Sequence, residues 1–445
     1  MSKALLLRGG RVVTMDRTRR VLDADVLVED GRIRVVRPVE RGTVRPSIHA
    51  TIDCGGLIVL PGLVQAHIHL CQTLFRGLAD DLSLEDWLTQ RIWPLEAAHT
   101  KESVYASAML GAAELLLGGT TAILDMETVR HAGAAFEALE EIGIRATAGK
   151  CLMDAPSSPA GLRESTDKAL SESADLCARW HGAAGGRLRY CFAPRFAPSC
   201  TGPLLRAVSD LAEKVGAVVH THAAETPVEL EIVKRETGHD EIAYLDSVGI
   251  SGPRTALAHC VWVDKDGIAR LARQATNVVH CPSSNLKLGS GIAPIPEMLA
   301  AGCRVGLGAD GAPCNNRLDA FAEMRLAALI QKPRLGPDAL PAAQVLELAT
   351  LGGARALGLD AEIGSIEVGK CADLVVLDLN GPHAQPEAND LTSRIVYSAT
   401  AADVRHVVVD GRVVVRDGVL KTANLGDIRR AANAEARRLR RTVGI

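Results

Sequence analysis

Two His-x-His pairs dominate the chemistry available to this chain: His67-Ile-His69 and His220-Thr-His222. Glu225 follows the second pair by three residues, and His259 and Asp310 close two later apolar runs. Residues two apart on a β-strand point to one face, so His67 and His69 can chelate a single ion if that face turns inward. A pair of hydrogen-bonded core histidines would satisfy one His-x-His equally well. A second pair, a strand-terminal His and a strand-terminal Asp make that reading hard to sustain, because burying so many titratable groups without partners is costly. Imidazole and carboxylate donors without a thiolate suit Zn(II) or Fe(II). The fourth run, LRYCFAPRF, ends without a Lys, Glu or Cys placed to bridge two ions, which favours one metal over two. Lys150, after the third run, reads as a surface or loop charge rather than a bridge.

The elements that must position these groups are legible in the middle of the chain. Eight short apolar runs, LVQAHIHL, TTAILDM, IRATAGKCL, LRYCFAP, AVVHTHA, TALAHC, TNVVHC and CRVGLGAD, read as buried parallel strands. Helical patterns such as KESVYASAMLGAAELLLGG lie between them, the latter ending on the C-cap signal Gly118-Gly119. This alternation predicts an α/β fold, a (β/α)8 TIM barrel over residues 61–360 with its active site at the C-terminal strand ends. Residues 1–60 and 361–445 are β-rich and share Asp-Gly hairpin signals at Asp30-Gly31, Asp410-Gly411 and Asp417-Gly418. They are expected to form one composite β-sandwich domain. The Arg-rich terminal stretch, LGDIRRAANAEARRLRRTV, reads as a surface helix with a solvated basic face.

Composition bounds the function. The 445 residues are 47% hydrophobic and carry a net charge of −3 with no basic run outside that terminal stretch, which argues against nucleic-acid and anionic-membrane partners. No run approaches the roughly 20 apolar residues of a membrane span, and the N-terminus lacks a secretory h-region. The eleven cysteines are scattered, with no Cys-x-x-Cys pair, so reduced thiols in a cytoplasm are expected. Composition alone names no function; the expectation of a small-molecule substrate comes from the site residues.

With the residues placed, the chain resembles the amidohydrolase superfamily. The resemblance rests on LPGLVQAHIHL (60–70), HTHAAET (220–226), LAHC (257–260), HCPSSNLKLGSGIAP (280–294), GLGADGAPCNN (306–316) and LGLDAEIGSIEVGKCADLVVLDL (357–379). Within the superfamily it is similar to the mononuclear deaminase and triazine hydrolase branch. RGLADDLSLEDWL (76–88) and DGAPCNNRLDAFAEMRLA (310–327) look most like S-adenosylhomocysteine/methylthioadenosine deaminases. The resemblance implies one divalent metal per subunit, zinc or alternatively iron, on His67, His69, His222 and Asp310. It implies Glu225 as proton shuttle and His259 against the reacting centre, with Asp310 as second proton carrier. Alone, Glu225 would read equally well as a helix N-terminal carboxylate. His220 is not a ligand in that pattern and is assigned to the pocket or behind the ligands. A homo-oligomer is implied by resemblance only.

Five residues are candidates for the substrate. Glu96 matches the family position that binds ribose hydroxyls, Gln72 is placed to read a ring edge, and Ser284 and Asn285 to line the opposite wall. Arg195 stands in APRFAPSC (193–200), where nucleoside deaminases usually have a His, and the segment resembles guanine deaminases. Trp87 and Trp93 read as core or lid packing. The expected reaction is hydrolytic deamination of an aminopurine, an adenosine derivative first. Guanine or pterin deamination and triazine hydrolysis are the alternatives, and a non-catalytic barrel is disfavoured because every ligand position is filled.

Overall fold

The computed structural model describes residues 4–38, 49–387 and 390–445; residues 39–48, inside the 1–60 segment, lie outside it, as do 388 and 389. Eight parallel strands alternate with helices: β1 (Leu63–His69), β2 (Thr120–Met126), β3 (Arg145–Gly149), β4 (Leu188–Pro194), β5 (Val218–Ala223), β6 (Thr255–His259), β7 (Asn277–His280) and β8 (Arg304–Leu307). Each pairs with its successor in chain order. The ring closes through a broken last strand. Arg304–Leu307 pairs with β7, and the short continuation Asp310–Gly311 pairs with Ile68 and His69 of β1. This is the TIM barrel expected from the apolar runs.

Local sequence explains the spacing. Thr100 caps the helix Lys101–Leu117 by accepting from Ser103 N through Oγ1, and Ser103 Oγ accepts in return from Thr100 N. The helix stops at Gly118, and Gly119 takes φ +83°, a conformation open to glycine. The inner cluster takes residues from around the ring, including Ala66, Leu124, Cys191, Ala256 and Val279. At Gly308 a Cβ would lie 2.8 Å from both His67 N and His67 O. The glycine therefore lets the last strand reach the first, which closes the ring beside the histidines.

The two chain ends meet in a second sheet, of nine strands among the described residues, in which Leu374–Leu377 pairs antiparallel with Ile58–Pro61. All three Asp-Gly pairs have positive φ at both residues, as tight hairpins require. The sheet is tied to the barrel floor by a buried ion cluster. Arg145, at the start of β3, donates from Nε to Asp373 Oδ2 at 2.6 Å and from Nη2 to Asp410 Oδ1 at 3.1 Å. The terminal helix Leu425–Val443 keeps arginines outward, as expected, but buries Ile428, Ala432 and Leu439. Ala432 and Leu439 pack with Phe75, Trp87, Ile92 and Leu95, so this helix supports the segment that follows β1.

Candidate active site

At the C-terminal mouth of the barrel, three imidazole nitrogens and one carboxylate converge. His67 Nε2 lies 3.2 Å from Asp310 Oδ1, His69 Nε2 lies 3.3 Å from the same oxygen, and His69 Nε2 lies 3.1 Å from His222 Nε2. Ligand bonds of ~2.0–2.1 Å to a tetrahedral centre separate the donors by ~3.3 Å, so the spacing fits a metal ion. Strand ends aim the groups. Asp310 sits at φ +63° and His259 at φ +72°, left-handed conformations at the strand ends that are sparsely populated for such residues.

The opposite edge of each imidazole is fixed. His69 Nδ1 donates to Met126 O at 2.8 Å and His222 Nδ1 to Arg195 O at 2.6 Å. His220 Nδ1 donates to Ala256 O, which leaves its Nε2 to accept from His67 Nδ1 at 2.7 Å. His220 thus orients His67 from behind. With every Nδ1 protonated, every inward Nε2 carries a lone pair. Among the described residues His67 Nε2 is buried without a hydrogen-bond partner, which fits a nitrogen whose lone pair binds a cation. Burial holds the His67, His69, His220 and His222 imidazoles in the neutral form, with His69 pushed down to about 4. Burial disfavours the Asp310 anion, but His67, His69 and His259 outweigh it and hold the carboxyl well below its usual range. Neutral imidazoles and an ionised carboxylate are the protonation states metal ligands need.

Glu225 and His259 stand beside this cage. His259 Nε2 is 3.6 Å from Glu225 Oε2 and 3.9 Å from Asp310 Oδ2. Burial, with Asp310 and Glu229 nearby, pushes the Glu225 carboxyl up to about 7 against the pull of His259. Such a group is poised to accept and release a proton near neutrality. Sequence reasoning missed Ser290, whose hydroxyl donates to Glu225 Oε1 at 3.1 Å. It also missed Glu229, whose Oε2 accepts from Glu225 N at 2.7 Å.

A cavity of about 1030 Å³, counted with its open mouth, faces these groups. His69, His222, Glu225, His259 and Asp310 line it together with Gln72 and Arg195. Trp87 and Trp93 line it and pack with Leu88, Ile92 and Leu95. Three expectations change here. Glu96 is 2% exposed and does not line the cavity. Its oxygens accept from Arg195 Nη1 (2.6 Å) and Nη2 (3.2 Å) and from Gln72 Nε2 (2.9 Å), so the carboxylate expected at a ribose diol is spent on holding two other candidates. Ser284 and Asn285 are buried behind the wall they were expected to form. Ser284 Oγ donates to Asp310 Oδ2 at 2.6 Å, and Asn285 Oδ1 accepts from His259 Nδ1 at 2.8 Å. Lys150 is no surface charge. It is 1% exposed and inserted between Val129 O and Glu164, because the loop carrying Glu164 folds over the end of β3.

All eleven cysteines are free and buried. Among the described residues no helix is long and apolar enough to cross a membrane.

Comparison with known proteins agrees with this geometry. The model of the amidohydrolase family matches residues 58–414. A 5-methylthioadenosine/S-adenosylhomocysteine deaminase of Desulforudis audaxviator is 44% identical over 418 residues, 93% of this chain and 94% of that protein. A 5'-deoxyadenosine deaminase of Methanothermobacter thermautotrophicus is 42% identical over 439 residues, 98% of this chain and 99% of that protein. The crystal structure of an adenosine deaminase from Xanthomonas campestris with bound zinc superposes with a TM-score of 0.91 at 34% identity, covering 99% of this chain and 98% of that one.

Proposed function

We propose, from the premise that the chain belongs to the amidohydrolase family, that it is a metal-dependent deaminase of adenosine derivatives. The net reaction adds water at the amino-bearing ring carbon and releases ammonia, leaving a ring carbonyl. The observation that carries this reading is the meeting of His67 and His69 with Asp310, and of His69 with His222, at 3.1–3.3 Å beside Glu225. We assign one divalent ion to those four residues, zinc first and iron second. An ion held there supplies Lewis acidity and makes water a nucleophile at neutral pH.

The protein side chains divide the proton traffic. Glu225 takes a proton from the attacking water and delivers it to the ring nitrogen next to the amino-bearing carbon. Ser290 and the Glu229-anchored backbone fix its carboxyl for that transfer. His259, its Nδ1 committed to Asn285, presents Nε2 toward Glu225 and Asp310 and steadies the oxygen as it gains charge. Asp310 lies within reach to carry the second proton, which the leaving amine needs to depart as ammonia. Arg195 and Gln72, held by Glu96, bound the ring's far edge; Arg195 offers donors only, which suits acceptor atoms such as ring nitrogens. The domain division proposed is the catalytic barrel over 61–360 and the composite β-sandwich domain from 1–60 and 361–445.

Incubation with adenosine, 5'-deoxyadenosine, methylthioadenosine and guanine, followed by ultraviolet spectrum and ammonia release, tests the reading. Turnover of at least one adenosine compound well above guanine is expected. Turnover of guanine alone would reassign the site to the oxopurine alternative.

A further inference from the structure

Behind Glu225 lies a carboxyl that the proton traffic above does not use. Resting on that reading of Glu225, we infer that Glu241 is a positioning residue: as a neutral acid it donates to Glu229, and the linked pair pins the turn that aims Glu225. The turn is strained. Ala224, directly after β5, sits at φ +52°, a conformation sparsely populated outside glycine. The chain after β6 holds one side of it, since Ala224 O accepts from Val261 N and from Trp262 N, each at 2.9 Å. Two buried carboxyls hold the other side. Glu241 Oε2 accepts from Ala224 N at 2.9 Å, and Glu229 Oε2 accepts from Glu225 N at 2.7 Å. Among the described residues, their remaining oxygens, Glu229 Oε1 and Glu241 Oε1, are buried and receive no donor.

The two side chains meet in a hydrogen bond, which requires a proton between them. Two buried anions in contact would repel, and one shared proton removes that repulsion while giving both remaining oxygens a partner. Burial pushes both carboxyls up, and Glu229 pushes Glu241 further, well above its usual range. Glu229 keeps the charge. It accepts from Glu225 N and from Glu241, it feels His259, and it stands third in the helix Pro227–Thr237, where the dipole favours an anion. Without Glu241 the Ala224 N–H loses its acceptor and the strained turn can relax. Glu225 then keeps its chemistry but loses its aim at the ring nitrogen, so kcat falls while KM, set by the cavity wall, holds.

The test compares three variants with the parent, all metal-loaded, reading kcat and KM on the adenosine compound turned over fastest, beside metal content and folded fraction. Glu241→Gln keeps the length, the acceptor for Ala224 N and a donor toward Glu229; its kcat is expected within about threefold of the parent. Glu241→Asp keeps the acid but withdraws it by one methylene, and Glu241→Leu removes both bonds. Each of these is expected to lose at least about tenfold in kcat per folded, metal-bound chain, with KM changed less than about twofold. Parent-like kcat in the Asp and Leu variants would overturn the inference. So would a Gln variant as poor as the other two or unable to fold, since it preserves every bond the neutral acid makes. Losses accounted for by missing metal or unfolded protein would also overturn it, leaving Glu241 a structural residue only. If the Leu variant does not fold, Gln against Asp still decides, because an acid needed for its own proton would reverse their order. Absence of turnover in the parent would be a separate failure, that of the deaminase reading, seen before any variant is made, and this inference would fall with it.

Discussion

Arg195→Met should damage the protein in a way that a second substitution repairs. Arg195 is 5% exposed and Glu96 2%, and the pair is joined through two hydrogen bonds of 2.6 and 3.2 Å. Burial opposes both charges, but each partner overrides it: the guanidinium holds the Glu96 carboxyl below its usual range. Opposite charges ~4 Å apart attract by about 4 kcal/mol at the effective dielectric of protein sites. Removing one partner strands the other as a buried ion, at about 3–5 kcal/mol. Arg195→Met and Glu96→Leu should therefore each cost about that much. The double variant should cost far less than their sum, because a packed apolar pair can replace a buried ion pair. Chemical denaturation of the four proteins, each saturated with the same divalent metal, closes the cycle. Single variants losing under about 1 kcal/mol, or losses that simply add, would refute the idea that Glu96 is committed to Arg195 and would return it to the sugar.

Other consequences are equally direct. Glu225→Gln should keep its metal, measured by elemental analysis, and lose at least about 10²-fold in kcat; full turnover in that variant would remove the proton-carrying role. Arg145→Met should destabilise the chain by about 3–5 kcal/mol without changing KM, because it strands Asp373 on the barrel floor; equilibrium unfolding beside steady-state kinetics separates the two effects. Asp16 predicts a pH effect. Burial works against its charge, but Arg20, Thr18 and Thr14 bring its pKa down to about 2. A depressed carboxylate stabilises above its unfolded pKa near 4 and loses that stabilisation as pH falls toward 2. Since Arg20 is half exposed, the gain is about 1 kcal/mol. Asp16→Asn should thus be less stable than the parent at pH 7, with the gap shrinking as pH falls through 2 and closing only below it; a gap independent of pH would contradict the assignment.

The groups that meet at the cage were readable because each announces itself locally. His67 and His69 share a face by strand periodicity, and His259 and Asp310 stand where apolar runs stop. The barrel was readable for the same reason, from eight runs of the right length separated by helical patterns. What holds those groups was not readable. Glu96 and Arg195 lie 99 residues apart and meet only when the helices after β1 fold over the mouth. Until then each looks like a free charge available to substrate. Ser284 and Asn285 sit close to the ligands in the motif, yet which way each points depends on the short helix Pro282–Lys287 turning their side chains to Asp310 and His259. Lys150 looked exposed because a Lys after a strand usually is; its burial depends on Glu164, fourteen residues further on. The apolar wall of the cavity was invisible for another reason: Leu84, Leu88 and Leu288 have the spacing of ordinary core residues, and nothing in sequence distinguishes a cavity wall from a core.

The most direct measurement of the central claim is metal content per chain combined with X-ray absorption at the metal edge, on active protein purified without added chelator. One zinc or iron atom per chain, bound by three imidazole nitrogens and a carboxylate oxygen and lost in His67→Ala together with activity, is the predicted result. Two metals per chain, sulfur in the first coordination sphere, or a fully active metal-free protein would contradict it.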